Sequence, residues 1–82
     1  MLKKEILDRL NAITPENFME SYSDIVSIIY RFRDKGLNKE DAHKVIIEIS
    51  QMSHLNDLQE DVIIEMDSRM SGFTNPPNYI NW

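Results

Sequence analysis

The chain has no cysteine, and that single absence removes disulfides, thiolate zinc sites and a cysteine nucleophile together. Glycine is scarce as well. With only Gly36 and Gly72 there is no glycine-rich loop to wrap a phosphate and no backbone nest of the P-loop kind. No run approaches the roughly 20 apolar residues of a membrane span, and Met1-Leu2-Lys3-Lys4-Glu5-Ile6 lacks the continuous apolar stretch of a secretory signal. Nothing alternates with the period of two that a half-buried strand requires. These absences lead to the expectation of a cytosolic, all-α protein without export signal, membrane span or thiol chemistry.

What is present is enough to fold. Of 82 residues, 41% are hydrophobic and 28% charged, a balance typical of globular rather than disordered chains. The length suits one domain, near the size where a lone core supplies only about 3–5 kcal/mol. The net charge of −5 is unevenly placed. Residues 1 to 35 carry six basic and six acidic side chains, whereas residues 36 to 82 carry three basic and eight acidic ones. Between Lys44 and Arg69 no lysine or arginine occurs, while Glu48, Asp57, Glu60, Asp61, Glu65 and Asp67 all fall there. That stretch repels nucleic acid and attracts a basic surface.

Four helices are expected, over about residues 2–12, 15–35, 39–53 and 57–71, followed by a tail over 73–82. Leu2, Ile6, Leu10 and Ile13 share one line of the first helix, with Leu7 beside it. Thr14-Pro15-Glu16 offers a capping hydroxyl, a proline at the first helical position and an acid in the first turn, which places the second start there. On that helix Phe18, Tyr22, Ile25, Ile28, Ile29 and Phe32 form one face. Met19, Val26 and Tyr30 widen it beyond a third of the circumference, as a helix with two neighbours requires. Gly36 fits a left-handed C-terminal stop with Leu37 after it. Asn38 with Asp41, and Asn56 with Gln59, have the spacing of capping boxes opening the third and fourth helices. Ala42, Val45, Ile46, Ile49 and Met52 face inward on the third; Leu58, Val62, Ile63, Met66 and Met70 do so on the fourth. Gly72 stops the last helix, Phe73 follows where a Schellman-type contact is expected, and Pro76-Pro77 force an extended course. The fold expected is a small four-helix bundle with an extended C-terminal tail whose Tyr79, Ile80 and Trp82 dock.

Catalytic chemistry is not expected. His43 and His54 are the only side chains that titrate near neutrality unperturbed. They lie on different elements, and neither has a histidine or cysteine at i+4 with which to hold a metal. Glu60-Asp61 could in principle act as acid and base, yet adjacent carboxylates on a helix surface are far more often a solvated face. Lys3, Lys4, Arg9, Arg31, Arg33 and Lys35 are interleaved with as many acids, which disfavours nucleic-acid binding and a membrane-surface role. Neither a cofactor nor a metal is called for.

The outer arc of the fourth helix is the feature that remains. At about 100° per residue it gathers Asp57, Glu60, Asp61, Glu65 and Asp67 around Ile64. An apolar side chain ringed by acids has the pattern of an anchor inside a charged recognition surface. The plainer reading is that Ile64 is covered by the tail or by another helix and that the acids only solvate the domain. The partner-binding residues expected on the first reading are Asp57, Glu60, Asp61, Ile64, Glu65, Asp67, Tyr79 and Trp82.

Leu58-Gln59-Glu60-Asp61-Val62-Ile63-Ile64-Glu65-Met66-Asp67, followed by a glycine stop and a proline-containing tail ending in Trp82, resembles small all-helical bacterial immunity proteins. These are the immunity proteins of the colicin D type and of contact-dependent growth inhibition systems. The resemblance covers about the last third of the chain and rests on helix pattern, acidity and tail. It implies a cytosolic protein that binds and neutralises a cognate toxin domain, commonly a nuclease whose basic active site the acidic helix would occupy, and it carries over no individual functional residue. The competing expectation is a small regulatory or adaptor bundle, in which a homodimer buries Ile47, Ile64 and the aromatic tail.

Overall fold

Residues 1–72 and 80–82 are described by the computed structural model of the chain. Leu2, Ile6 and Leu10 stack four residues apart and are buried on one stripe of α1 (Leu2–Asn11), with Leu7 and Ile13 half-buried beside them. The second helix, α2 (Phe18–Asp34), begins three residues later than the proline signal suggests. Asn17 explains the delay. Its Oδ1 accepts from the Thr14 backbone N–H at 2.8 Å, its Nδ2 donates to the Ala12 carbonyl at 3.1 Å, and its own N–H donates to the Thr14 carbonyl at 3.1 Å. Pro15 therefore sits inside a tight turn, where its fixed φ is equally at home. A side chain so engaged cannot also cap α2, whose first turn is left without a side-chain cap.

At its other end α2 closes as expected. Gly36 takes φ +105°. The Gly36 N–H donates to the Arg33 carbonyl at 3.0 Å and the Leu37 N–H reaches back to the Phe32 carbonyl at 3.1 Å. These are the two bonds of a Schellman motif. Asn38 Oδ1 then accepts from the Asp41 N–H at 2.8 Å to open α3 (Lys39–Ser50). This helix stops three residues short of the expected end. Without a glycine to reverse the chain it tightens instead, Met52 N–H donating to the Ile49 carbonyl at 3.1 Å, the i→i−3 closure common where α-helices fray. Met52 and Leu55 still pack against the core from the connection.

The last helix, α4 (Asp57–Ser71), has both halves of a capping box: Gln59 N–H to Asn56 Oδ1 and Asn56 N–H to Gln59 Oε1, each at 2.9 Å. Gln59 does more than cap. It is buried, and its Nε2 donates to the Leu10 carbonyl at 3.0 Å, tying the start of α4 to the end of α1. Gly72 ends α4 in the left-handed conformation at φ +79°.

The four helices close a ring in which α1 packs on α2, α2 on α4, α4 on α3 and α3 on α1. Helix α2 thus has two neighbours, as its wide apolar face demands, and so has every other helix. Within the ring Ile6, Leu10, Ile25, Ile29, Ile46, Ile49, Val62, Ile63 and Met66 are wholly buried. Ser21 is buried among them, its hydroxyl donating to the Phe18 carbonyl. Among the described residues there is no strand. The result is the all-α four-helix bundle expected, with a radius of gyration of 11.8 Å, against about 12 Å for a compact chain of this length. No helix is long and apolar enough to cross a membrane among the described residues.

Candidate functional site

Helix α4 lies between α2 and α3, so its solvent side is a strip with a different neighbour on each flank. Ile64 stands on the strip, 57% exposed, and neither the end of the tail nor a helix covers it. Asp57, Glu60 and Asp61 are exposed around it. Among the described residues these three carboxylates form no ion pair, so their charge is left uncompensated at close range.

The other acids of the arc behave differently. Glu65 turns toward α2 and pairs with Arg69 one turn on, at 3.2 Å. Asp67 turns toward α3, where its carboxylate meets His43 Nε2. Asp67 fastens α4 to α3 and Glu65 is paired within α4 itself, so the outward arc narrows to Asp57, Glu60, Asp61 and Ile64.

Ser71 completes a Ser–His–Asp grouping on the α3 side, its hydroxyl 3.3 Å from His43 Nε2. The arrangement is not that of a nucleophile relay, which uses both ring nitrogens, one toward the serine and one toward the acid. Here serine and aspartate converge on the same nitrogen, and the Ser71 hydroxyl donates to the Asp67 carbonyl at 2.8 Å. The cluster is a polar clasp between α3 and α4. Because His43 near the start of α3 meets Asp67 and Ser71 near the end of α4, the two helices run antiparallel. One turn from that clasp along each helix come Ile47 on α3, 38% exposed, and Ile64 on α4.

On the other flank a groove of about 590 Å³ runs between α2 and α4. Tyr22, Val26 and Tyr30 form its floor, Ser23 and Ser27 its outer edge, and Glu65 with Arg69 its α4 wall. Met19, expected to widen the core face, is instead 67% exposed at the mouth. The reason is geometric. The apolar face of α2 is broader than the arc its neighbours cover, and the excess on the α4 side stays open. Arg69 lays its guanidinium over the Tyr22 ring, 5.5 Å from its centroid. The Tyr22 hydroxyl is raised above its ordinary pKa of 10.0, by burial first and by the charges of Asp61 and Glu65 next, with Arg69 opposing. At the Tyr22 hydroxyl the charges of Asp61 and Glu65 thus outweigh that of Arg69.

The tail returns to the bundle where the structure describes it. Ile80 is buried and its N–H donates to the Arg69 carbonyl at 3.2 Å. Asn81 is held from both sides, its N–H on the Tyr30 hydroxyl at 3.0 Å and its carbonyl on Arg33 Nη1 at 2.9 Å. Trp82 Nε1 donates to the Leu37 carbonyl at 3.2 Å, and the residue is 38% exposed. Trp82 thus lies at the α2–α3 corner, away from the acidic strip. Tyr79, the Phe73 contact and the course of residues 73–79 lie outside the described residues.

Sequence reasoning found the strip but not the groove. Its floor residues Tyr22, Val26 and Tyr30 also pack against the core, as their periodicity implies, and the surplus width of the α2 face is the only sequence signal pointing to the groove. Among the described residues no group of three or more histidine and acidic side chains is placed to hold a metal ion. No family model matches this chain, and no curated protein or solved structure is significantly similar to it.

Proposed function

We propose that the chain is a binding protein without chemistry of its own, and that the outer strip of α4 is its recognition surface for a basic partner protein. The observation that carries this reading is Ile64. A large aliphatic side chain more than half exposed, beside three carboxylates with no cation in bridging range, combines a desolvatable anchor with a steering charge. The acids would draw a basic surface in, and Ile64 would hold it.

The resemblance to small helical immunity proteins gives this surface a biological occupant. On that reading the protein acts in the cytoplasm, where it neutralises a cognate toxin domain, a nuclease whose phosphate-gripping cleft is basic and is blocked by α4 acting as a charge mimic. The test is co-expression with the product of the neighbouring reading frame. Cells should survive with the intact protein and die when Glu60 and Asp61 are both reversed to lysine. Equal survival with and without the protein would refute the immunity reading.

The second reading, a homodimeric adaptor, is favoured by one observation: Ile47 and Ile64 are exposed at the same level across the α3–α4 seam. Sedimentation separates the two. A dimer insensitive to salt and broken by Ile47→Asp supports the adaptor, and a monomer supports the heterologous partner.

A further inference from the structure

We infer that the groove between α2 and α4 is the seat of a helical segment of the partner, apolar on one face and carrying lysine or arginine along the edge that meets α4. The inference deepens the reading above and rests on it, since the same basic partner is meant. Three observations on this groove converge.

The first is shape. From Met19 to Tyr30 the groove follows three turns of α2, a length of about 16 Å, and it is bounded by two helices rather than closed around a small molecule. That is the form of a cleft that takes the apolar stripe of a third helix through anchors at i, i+4, i+7 and i+11. The second is chemistry. Tyr22, Val26 and Tyr30 give an apolar floor, Ser23 and Ser27 are small enough to let another backbone approach, and Met19 stands exposed at the mouth. An unbranched methionine repacks readily against an incoming side chain.

The third is charge. Asp57, Asp61 and Glu65 are spaced by four, so each steps about 40° around α4, and the line they make winds from the outer strip onto the groove's wall. Arg69 is already engaged by Glu65 and by the Tyr22 ring. Asp61, exposed and without an ion-pair partner among the described residues, lies outside the groove's lining but close enough to its Tyr22 end for its charge to act on that hydroxyl, and a cationic edge on the occupant complements it. An acidic helix would set like charge beside that carboxylate, and a purely apolar one would leave it without a complement.

The occupant can be tested without the natural partner. A synthetic peptide of about 14 residues, with leucine at i, i+4, i+7 and i+11 and lysine at its other positions, is titrated into isotopically labelled protein while backbone amide shifts are followed. Saturable shifts at Ser23, Val26, Ser27, Tyr30 and Glu65 are expected. They should weaken by about tenfold or more in Ser27→Trp, which fills the groove from an exposed position, and in Met19→Lys, which strips and charges its mouth. The same peptide with alanine for leucine should give no saturation, and one with glutamate for lysine should not bind. Saturable shifts centred on Asp57 to Ile64 that persist in Ser27→Trp would overturn the groove and leave the outer strip as the binding surface. No saturable shift from the leucine–lysine peptide would overturn the assignment of the occupant. The recognition role of the strip falls separately, if Asp57→Lys with Glu60→Lys leaves toxin neutralisation intact.

Discussion

At the scale of single residues, exposure decides what each side chain of α4 can do. Ile64 is on the surface, so Ile64→Ala should change unfolding free energy by no more than about 0.5 kcal/mol, while a bound partner dissociates measurably faster because the anchor acts on residence. Chemical denaturation and surface plasmon resonance read the two effects. A loss of about 2–5 kcal/mol, the range for a buried aliphatic, would show that the residue is core. Tyr22 supplies a pH signature. Its hydroxyl is raised above 10.0 by burial and by Asp61 and Glu65, so the folded protein holds that proton more tightly than the unfolded chain does. The corresponding stability is complete below pH 10 and is lost as pH rises through the folded-state value. Tyr22→Phe should therefore flatten the alkaline limb of the stability curve, and an unchanged limb would assign it to other groups.

At the scale of elements, the ends of the helices carry more information than their middles. Gly36 sits at φ +105° with nothing within 4 Å of where a Cβ would be. A substitution there meets no steric clash and costs only backbone strain. Gly36→Val should thus lose about 1 kcal/mol or more through the penalty a β-branched residue meets in left-handed backbone, with a melting temperature lower by about 4–8 °C. Wild-type stability would mean that the Schellman closure contributes nothing. The tail is held by apolar burial and hydrogen bonds together. Removing residues 80–82 exposes the site of Ile80, whose burial is worth about 1.5–3 kcal/mol, and leaves Tyr30, Arg33 and the Leu37 carbonyl without their partners. Calorimetry should show melting lower by about 10 °C; an unchanged transition would make the docking incidental.

At the scale of the molecule, charge asymmetry sets the approach of a partner. Six ion pairs of lysine or arginine with carboxylates are distributed over the described residues, most of them in reach of solvent, and such pairs contribute little each. The unpaired Asp57, Glu60 and Asp61 act at longer range. Association with a basic partner should slow steeply as salt rises, because the Debye length falls from about 10 Å at 0.1 M to about 3 Å at 1 M. Reversing Glu60 and Asp61 to lysine should slow association and flatten that dependence with the circular dichroism spectrum unchanged. Stopped-flow rates that are the same at both salt concentrations would remove electrostatic steering from the account.

Local signals determined a good deal of this protein. The 3.6-residue spacing of Leu2, Ile6 and Leu10 or of Val62, Ile63 and Met66 marked the buried stripes, and Asn38, Asn56, Gly36 and Gly72 marked helix ends, because caps and left-handed turns depend on residues within one turn of each other. Asn17 shows where that locality misleads: its side chain serves the turn before α2, and Pro15 became a turn residue. Tertiary structure alone decided the rest. Whether Asp67 faces a partner or its own fold depended on His43 arriving from another helix, whereas the Glu65–Arg69 pair is local to α4. The burial of Gln59 depended on a carbonyl 49 residues away. The groove exists because the surplus apolar width of α2 fell on the side its neighbours leave open. Periodicity tells which side chains share a face; only the closed ring of helices settles how much of that face another helix covers.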